Sequence, residues 1–227
     1  MSRILLTTGP GDWRKLLADP EKHWRVGYSA CTLAHCWEDA DGLPPEIDRV
    51  LVRTAEPLLA KLRAVLAVPE FKVPMPGGGH PSQNDLFVLA QSSAGVVTVM
   101  VEGKVDESFG PMLDEWYVDA SQGKIDRLEF LSRMLGISAP LKKGIRYQFL
   151  HRAASAIITG EQYRAVAAVL LVHSFSPKHV GWKDYEAFAA LFGVNAEVNV
   201  IQCLGSAMRM PLFAGWVMGN PAYLTRG

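Results

Sequence analysis

The chain has 227 residues, and its 23 basic and 23 acidic side chains give a formal net charge of zero at neutral pH. This length suits one domain of ordinary size, or a core with small additions at each end. The apolar fraction of 49% and the charged fraction of 20% exclude an intrinsically disordered chain. Neutrality also argues against a tight, non-specific binder of duplex DNA, because such proteins usually carry a basic excess.

The length of the apolar runs and the number and spacing of the cysteines predict where in the cell the protein is found and whether it enters a membrane. No run approaches the roughly 20 apolar residues that a membrane helix needs, so no membrane association is predicted. The apolar part of residues 1–13 is too short for a signal peptide, which predicts a cytoplasmic protein. Cys31, Cys36 and Cys203 are odd in number and lack metal-type spacing, which indicates reduced thiols. The oligomeric state is not indicated.

The first 81 residues predict mostly helix followed by a loop. A short strand is predicted at residues 4–8, and a helix capped by Ser29 at residues 30–39. Pro44 and Pro45 open a second helix, predicted over residues 46–66 and kinked or split by Pro57. Residues 68–81 hold four prolines and three consecutive glycines, so they are predicted to form a loop.

Two apolar strands are predicted next, at residues 85–91 and 96–105, joined by a short turn. Antiparallel pairing brings Asp85, at the start of the first strand, toward Glu102 near the end of the second. Lys104 points to the same side as Glu102 because side chains alternate along a strand. Two carboxylates and a lysine suit metal-assisted attack on a phosphodiester. The alternative for the Glu-x-Lys pair is a solvated charge pair.

The remaining residues predict alternating helices and strands. An amphipathic helix is predicted at residues 124–135, a further helix at 145–158, and a helix at 182–192. The apolar run at residues 165–175 predicts a strand buried on both faces of a mixed or parallel sheet. Residues 198–204 and 212–218 predict a strand pair added to that sheet. The sequence therefore predicts an α/β protein with a mixed central β-sheet flanked by helices.

The densest group of basic residues lies at and just before the helix predicted over residues 145–158. Its members are Lys142, Lys143, Arg146 and Arg152. Lysine and arginine side chains grouped in this way predict a surface that contacts substrate phosphates. The alternative is an ordinary charged helix surface.

The motif carries a resemblance to a known superfamily. Asp85 followed by Glu102-Gly103-Lys104 resembles the Asp…(Asp/Glu)-x-Lys signature of the PD-(D/E)XK nucleases, which have the restriction-endonuclease-like fold. The proline half of the signature departs from the pattern, since Pro81 precedes Asp85 by four residues instead of one. The order of the flanking elements also fits, and the resemblance covers roughly residues 44–176.

The resemblance implies roles for individual residues. Asp85 and Glu102 would bind Mg²⁺ or Mn²⁺, and Lys104 would act at the attacking water. A glutamine from the helix after the Glu-x-Lys strand often reaches the site in this superfamily, and Gln148 matches that position. An acidic residue on the first helix is often near the metal, and either Glu46 or Glu56 would serve.

Three hypotheses for function remain open from the sequence. The leading one is metal-dependent hydrolysis of DNA by a single domain, with a helical addition at residues 1–43, a nuclease-like core at 44–176, and a helix and strand pair at 177–227. The second is an inactive relative that binds nucleic acid or protein. The third is a structural or partner protein without the superfamily link. Acyl transfer is disfavoured because no Ser or Cys lies in a recognisable nucleophile turn.

Overall fold

A mixed six-stranded β-sheet organises the computed structural model, which describes residues 4–138, 144–207 and 210–227. The strands are β1 Arg63–Val73, β2 Ser82–Gln91, β3 Val96–Lys104, β4 Ala167–Ser174, β5 Ile201–Ala207 and β6 Met210–Met218. Their spatial order is β1-β2-β3-β4-β6-β5. The pairs β3–β4 and β4–β6 are parallel, and the other three pairs are antiparallel.

Helices cover both faces of this sheet. In the described ranges they are α1 Pro10–Trp13, α2 Pro20–His23, α3 Ser29–Asp39, α4 Pro45–Thr54, α5 Leu113–Tyr117, α6 Gln122–Leu135, α7 Tyr147–Gln162 and α8 Trp182–Ala190. Short 3₁₀ turns occupy Arg14–Leu16, Pro57–Leu59 and Pro221–Thr225. None of the described helices is long and apolar enough to cross a membrane.

Alternation along the central strands divides the core into two layers. Val101 of β3 and Leu171 of β4 belong to the layer that α3 and α4 cover. Met100 and Leu170, one residue earlier, belong to the layer that α6, α7 and α8 cover. Strand β4 is buried along its whole length because it lies between two parallel neighbours with helices on both faces. The crossover from β3 to β4 contains α5, α6 and α7 and leaves those two strands parallel.

The structure confirms the predicted α/β class and the mixed sheet flanked by helices. The hairpin, the buried strand and the C-terminal strand pair form close to their predicted bounds. The predicted N-terminal strand is reduced to one bridge between Ile4 and Ala67.

The predicted helix over residues 46–66 and the predicted loop over 68–81 are wrong in part. Helix α4 ends at Thr54, and residues from Arg63 onward form β1, so the loop begins only after Val73. Pro69 is tolerated within β1 because this strand lies at the edge of the sheet, where β2 pairs along one side and the other side carries the single bridge from Ile4 to Ala67. Pairing with a strand distant in sequence therefore overrides the local proline signal.

Candidate active site

Three carboxylates lie side by side on adjacent strands. Glu70 of β1 stands opposite Asp85 of β2, since the pairs Pro69–Leu86 and Phe71–Asn84 flank them in register. The β2–β3 register, which pairs Leu86 with Val101, places Glu102 next to Asp85 in the same way. Directly opposed residues share a face of the sheet, so the three side chains project to the side that α7 covers. They line one cavity of about 680 Å³.

Arg152 of α7 connects two of these carboxylates. Its Nε donates to Oε2 of Glu102 at 2.7 Å, and its Nη2 donates to Oδ1 of Asp85 at 3.4 Å. Its Nη1 is buried without a hydrogen-bond partner. A buried donor without a partner is costly, so this nitrogen is available to an acceptor that enters the cavity.

Lys104 and Gln148 complete the shell of donors around Glu102. The Lys104 ammonium lies 3.2 Å from Oε1 of Glu102 and donates to the backbone oxygen of Ser108 at 3.3 Å. Gln148, at the start of α7, donates to the same Oε1 at 2.8 Å. The backbone N–H of Gly103 donates to Oδ2 of Asp85 at 2.9 Å. The donors fix both carboxylates in place.

The three carboxyl groups differ in pKa because their partners differ. Burial acts to raise the pKa of Glu102, but the Arg152 and Lys104 charges outweigh it and hold that pKa below its usual value. Burial, together with the Glu102 charge, raises the pKa of Asp85 well above its usual value. Burial raises the pKa of Glu70 to about 7. The neighbouring cations therefore favour the ionised form of Glu102, whereas burial favours the protonated forms of Asp85 and Glu70.

His151 forms part of the cavity wall beside this group. Its Nδ1 lies 2.7 Å from Oγ of Ser82. Burial lowers its pKa well below the usual value, and the charges of Arg152 and Arg127 lower it further. The imidazole is neutral at pH 7, so it contributes a hydrogen-bonding group and no positive charge.

Comparison with known proteins gives a family for the chain. A family model described as a domain of unknown function (DUF6946) matches residues 6–221. The chain belongs to this family. No curated protein and no solved structure matches it. The matched range includes all six strands of this DUF6946 chain, and with them the three carboxylates and Arg152.

The structure brings together five residues that the sequence analysis selected: Asp85, Glu102, Lys104, Gln148 and Arg152. It does not bring Glu56 to them. The Glu56 carboxylate accepts the N–H of Leu58 and caps a 3₁₀ turn. Just beyond that turn, Ala60 accepts the N–H of Ser93 from the β2–β3 connection, at the opposite end of the sheet from Asp85.

The predicted basic surface is not a single surface in the described part of the chain. Lys142 and Lys143 lie outside the described residues. Arg146 is engaged by Asp184, with 3.1 Å between Nε and Oδ2, and donates to the backbone oxygen of Gly110 at 2.7 Å. Arg152 is buried against the carboxylates instead of facing solvent, because its position on α7 points toward the sheet.

Glu46 lies on the other face of the sheet, in a second cluster with Cys36 and His173. Oε1 of Glu46 is 3.1 Å from Nε2 of His173, 3.6 Å from Sγ of Cys36, and accepts the N–H of Asn220 at 3.3 Å. The ligand atoms of Cys36, Glu46 and His173 all lie within 4.8 Å of one another, so this buried cluster could hold a metal ion.

Proton positions in this cluster are set by Trp37. Its indole nitrogen donates to Nδ1 of His173 at 3.2 Å, and an indole N–H can only donate. Nδ1 is therefore the acceptor, and Nε2 carries the proton that Glu46 accepts. Burial raises the pKa of the Cys36 thiol. A metal ion would have to displace both protons before Nε2 and Sγ could bind it.

Glu70 is a site residue that the sequence does not predict. It lies within the predicted loop over residues 68–81, where no strand pairing is expected. Glu70 has a φ of 52°, which is unusual for a residue other than glycine and marks a strained backbone. The available signal was that Glu70 is the sole acidic residue between positions 57 and 84.

Proposed function

We propose that the chain is a Mg²⁺- or Mn²⁺-dependent phosphodiesterase that acts on DNA. The observation that carries this proposal is the meeting of Asp85, Glu102 and Lys104 around one cavity, with Glu70 in register beside them. Carboxylates on neighbouring strands with a lysine at hydrogen-bond distance are a suitable set for metal-assisted phosphodiester hydrolysis.

The order of elements supports the restriction-endonuclease-like interpretation of the core. Helix α4 precedes the antiparallel strands β1, β2 and β3, and α7 then leads to β4, which is parallel to β3. The motif residues lie on β2 and at the end of β3, the positions that the resemblance implies. Strands β5 and β6 extend this sheet on the far side of β4.

The donor set fits a hard divalent cation. Asp85 and Glu102 offer oxygen ligands, and a cationic guanidinium already spans them, so the two carboxylates converge on a single positive group. Glu70 adds a third carboxylate to the same cavity. When bound by Asp85 and Glu102, such an ion would neutralise phosphate charge and orient the attacking water.

The side chains of the chain have separate roles in this proposal. Lys104 donates a hydrogen bond to the attacking water and stabilises negative charge that develops on the phosphate. The unpartnered Nη1 of Arg152 donates to a phosphate oxygen. Gln148 holds Oε1 of Glu102 in its orientation. Each role uses a donor that already lies in the cavity.

Cleavage assays test the proposal. Supercoiled plasmid and single-stranded DNA are incubated with wild type, Lys104→Ala and Lys178→Ala in the presence of Mg²⁺ or Mn²⁺. Lys178 is an exposed lysine outside this cavity and serves as the charge-matched control. Wild type and the control should cleave, and Lys104→Ala should lose on the order of a hundredfold in rate. Absence of cleavage by wild type, or equal rates in all three, would contradict the proposal.

One observation favours a second candidate, a binding module without catalysis. Arg152 already compensates the charge of Glu102, so the group is electrostatically satisfied without a metal. Such a module would bind DNA equally well in EDTA and in Mn²⁺ and would cleave it in neither. Filter binding in parallel with the cleavage assays distinguishes the two candidates.

A further inference from the structure

A second cavity of about 290 Å³ adjoins the candidate active site. Its walls are the glycine-rich segment at residues 77–82, the first turn of α6, and Trp116. Tyr147 and His151 of α7 line both cavities, so one extended ligand can reach from the carboxylates into this space. The volume is sufficient for one small group of a larger ligand.

The two cavities differ in the charged side chains that line them. The second cavity is lined by the cations Lys124 and Arg127, and no carboxylate is among its described lining residues. The active-site cavity is lined by the four carboxylates Glu70, Asp85, Glu102 and Glu107 together with the cations Lys22, Lys104 and Arg152. A small cavity with two cations and no acid favours an anionic ligand.

Arg127 holds this cavity in a fixed shape. Its Nη2 donates to the backbone oxygens of Met75 and His80, both at 3.1 Å, and its Nε donates to that of Pro76. The side chain is 5% exposed. Its Nη1 reaches only the Tyr147 hydroxyl, at 3.5 Å, which is the outer limit for a hydrogen bond. The guanidinium therefore has donor capacity left for a ligand.

The glycine-rich segment packs closely on α6 and leaves backbone donors unused. A Cβ at Gly77 would lie 2.4 Å from the backbone oxygen of Gly123, so only glycine fits there. In the described chain, no residue accepts a hydrogen bond from the backbone N–H groups of Gly78, Gly79 or His80. Successive backbone N–H groups without a protein acceptor suit the oxygens of an anion.

We propose that this cavity binds a phosphate group of the substrate, next to the phosphodiester that is cleaved. This inference rests on the proposed function. Lys124 supplies a point charge and Arg127 a fixed donor, and both groups bind phosphate well. Trp116 and Tyr147 stack with 3.9 Å between ring centroids and form an apolar wall beside the phosphate. The substrate class is therefore a nucleic acid strand or nucleotide with two phosphates.

Gly79 offers a direct test by charge. No heavy atom lies within 4 Å of a Cβ built at this position, so a small side chain is accommodated. Inorganic phosphate is titrated in EDTA by calorimetry into wild type, Gly79→Asp, Gly79→Asn and Lys178→Gln. Gly79→Asp should weaken phosphate binding at least about tenfold, because a carboxylate repels the anion. Gly79→Asn, which has the same size, should lose much less, and Lys178→Gln should match wild type.

Equal binding by the Asp and Asn variants, or no phosphate binding by wild type, would overturn the inference. Cleavage of thymidine oligonucleotides identifies the source of the phosphate. If the substrate supplies it, Gly79→Asp should raise the KM for the oligonucleotide at least about tenfold, whereas Gly79→Asn should not. If phosphate binding depends on the charge at position 79 but no oligonucleotide is cleaved, the cavity is still a phosphate site. That result would contradict the proposed function, and with it the inference that the bound phosphate belongs to the substrate.

Discussion

The Nε of Arg152 donates to Oε2 of Glu102 at 2.7 Å, and these side chains are only 8% and 4% exposed. A buried ion pair is stable only when its geometry is good and its remaining polar atoms are satisfied. The remaining polar atom of Glu102, Oε1, is satisfied by Lys104 and Gln148. On the other side of the pair, Nη1 of Arg152 has no hydrogen-bond partner. All hydrogen bonds that hold the Glu102 carboxylate are therefore made within the protein. Nη1 of Arg152 still lacks an acceptor, and in the proposed function a substrate oxygen would be that acceptor.

Replacing Arg152 should make the site depend on a metal ion. Arg152→Met leaves Asp85 and Glu102 without the guanidinium that spans them and should cost about 3 kcal/mol of unfolding free energy. Mn²⁺ should restore part of this loss, because binding to the native state alone stabilises it. Thermal unfolding with and without Mn²⁺ measures the effect, with Arg146→Met as the control outside the carboxylate group. An equal Mn²⁺-induced rise in Tm for wild type and Arg152→Met would show that Arg152 does not occupy the cation position.

The pKa of Glu70 predicts a pH dependence of stability. Burial raises this pKa from 4.5 to about 7, so between these values the native state holds a proton that the unfolded chain has released. Stability should therefore fall as pH rises through this interval and level off above it. Glu70→Gln removes the titration, so the fall should be smaller in this variant. Urea unfolding at about pH 5 and about pH 9 compares them, with the exposed Glu129→Gln as control. The same pH dependence of stability in wild type and Glu70→Gln would show that Glu70 is not the group responsible for it.

Metal binding at the Cys36, Glu46 and His173 cluster should be coupled to proton release. The thiol and Nε2 of His173 must both lose protons, so affinity for a thiophilic ion should increase as pH rises. Co²⁺ titration followed by the thiolate-to-cobalt absorption band measures this at about pH 7 and about pH 9. The band should be weak at the lower pH, stronger at the higher pH, and absent in Cys36→Ser. A strong band that is independent of pH would contradict the predicted coupling of metal binding to proton release.

The parts of the fold that sequence predicted are those with strong local patterns. The hairpin and β4 follow from short apolar runs with clear turns, and hairpin pairing together with strand alternation predicts that Asp85, Glu102 and Lys104 lie together. Strand β1 could not be predicted in this way, because Pro69 and the prolines that follow the strand suggest a loop, whereas the strand is stabilised by pairing with β2. Glu70 lies in β1, so it could not be predicted as a site residue for the same reason.

Side-chain burial on the helices was the other feature that sequence could not supply. Arg152 was grouped with neighbouring basic residues as a surface, but the rotation of α7 about its axis relative to the sheet decides which side chains face inward. The Cys36, Glu46 and His173 cluster joins residues from α3, α4 and β4, and no local spacing indicates it. Such contacts depend on how elements pack.

The most direct test of the account is the affinity for Mn²⁺ of wild type and Asp85→Asn, measured by calorimetry. Asparagine keeps the size of Asp85 and still offers an oxygen to the N–H of Gly103, so the fold should be retained. Asp114→Asn changes an exposed carboxylate elsewhere and is the control. Wild type and the control should bind Mn²⁺, and Asp85→Asn should bind at least about tenfold more weakly. Equal affinities, or no binding by wild type, would contradict a metal site between Asp85 and Glu102.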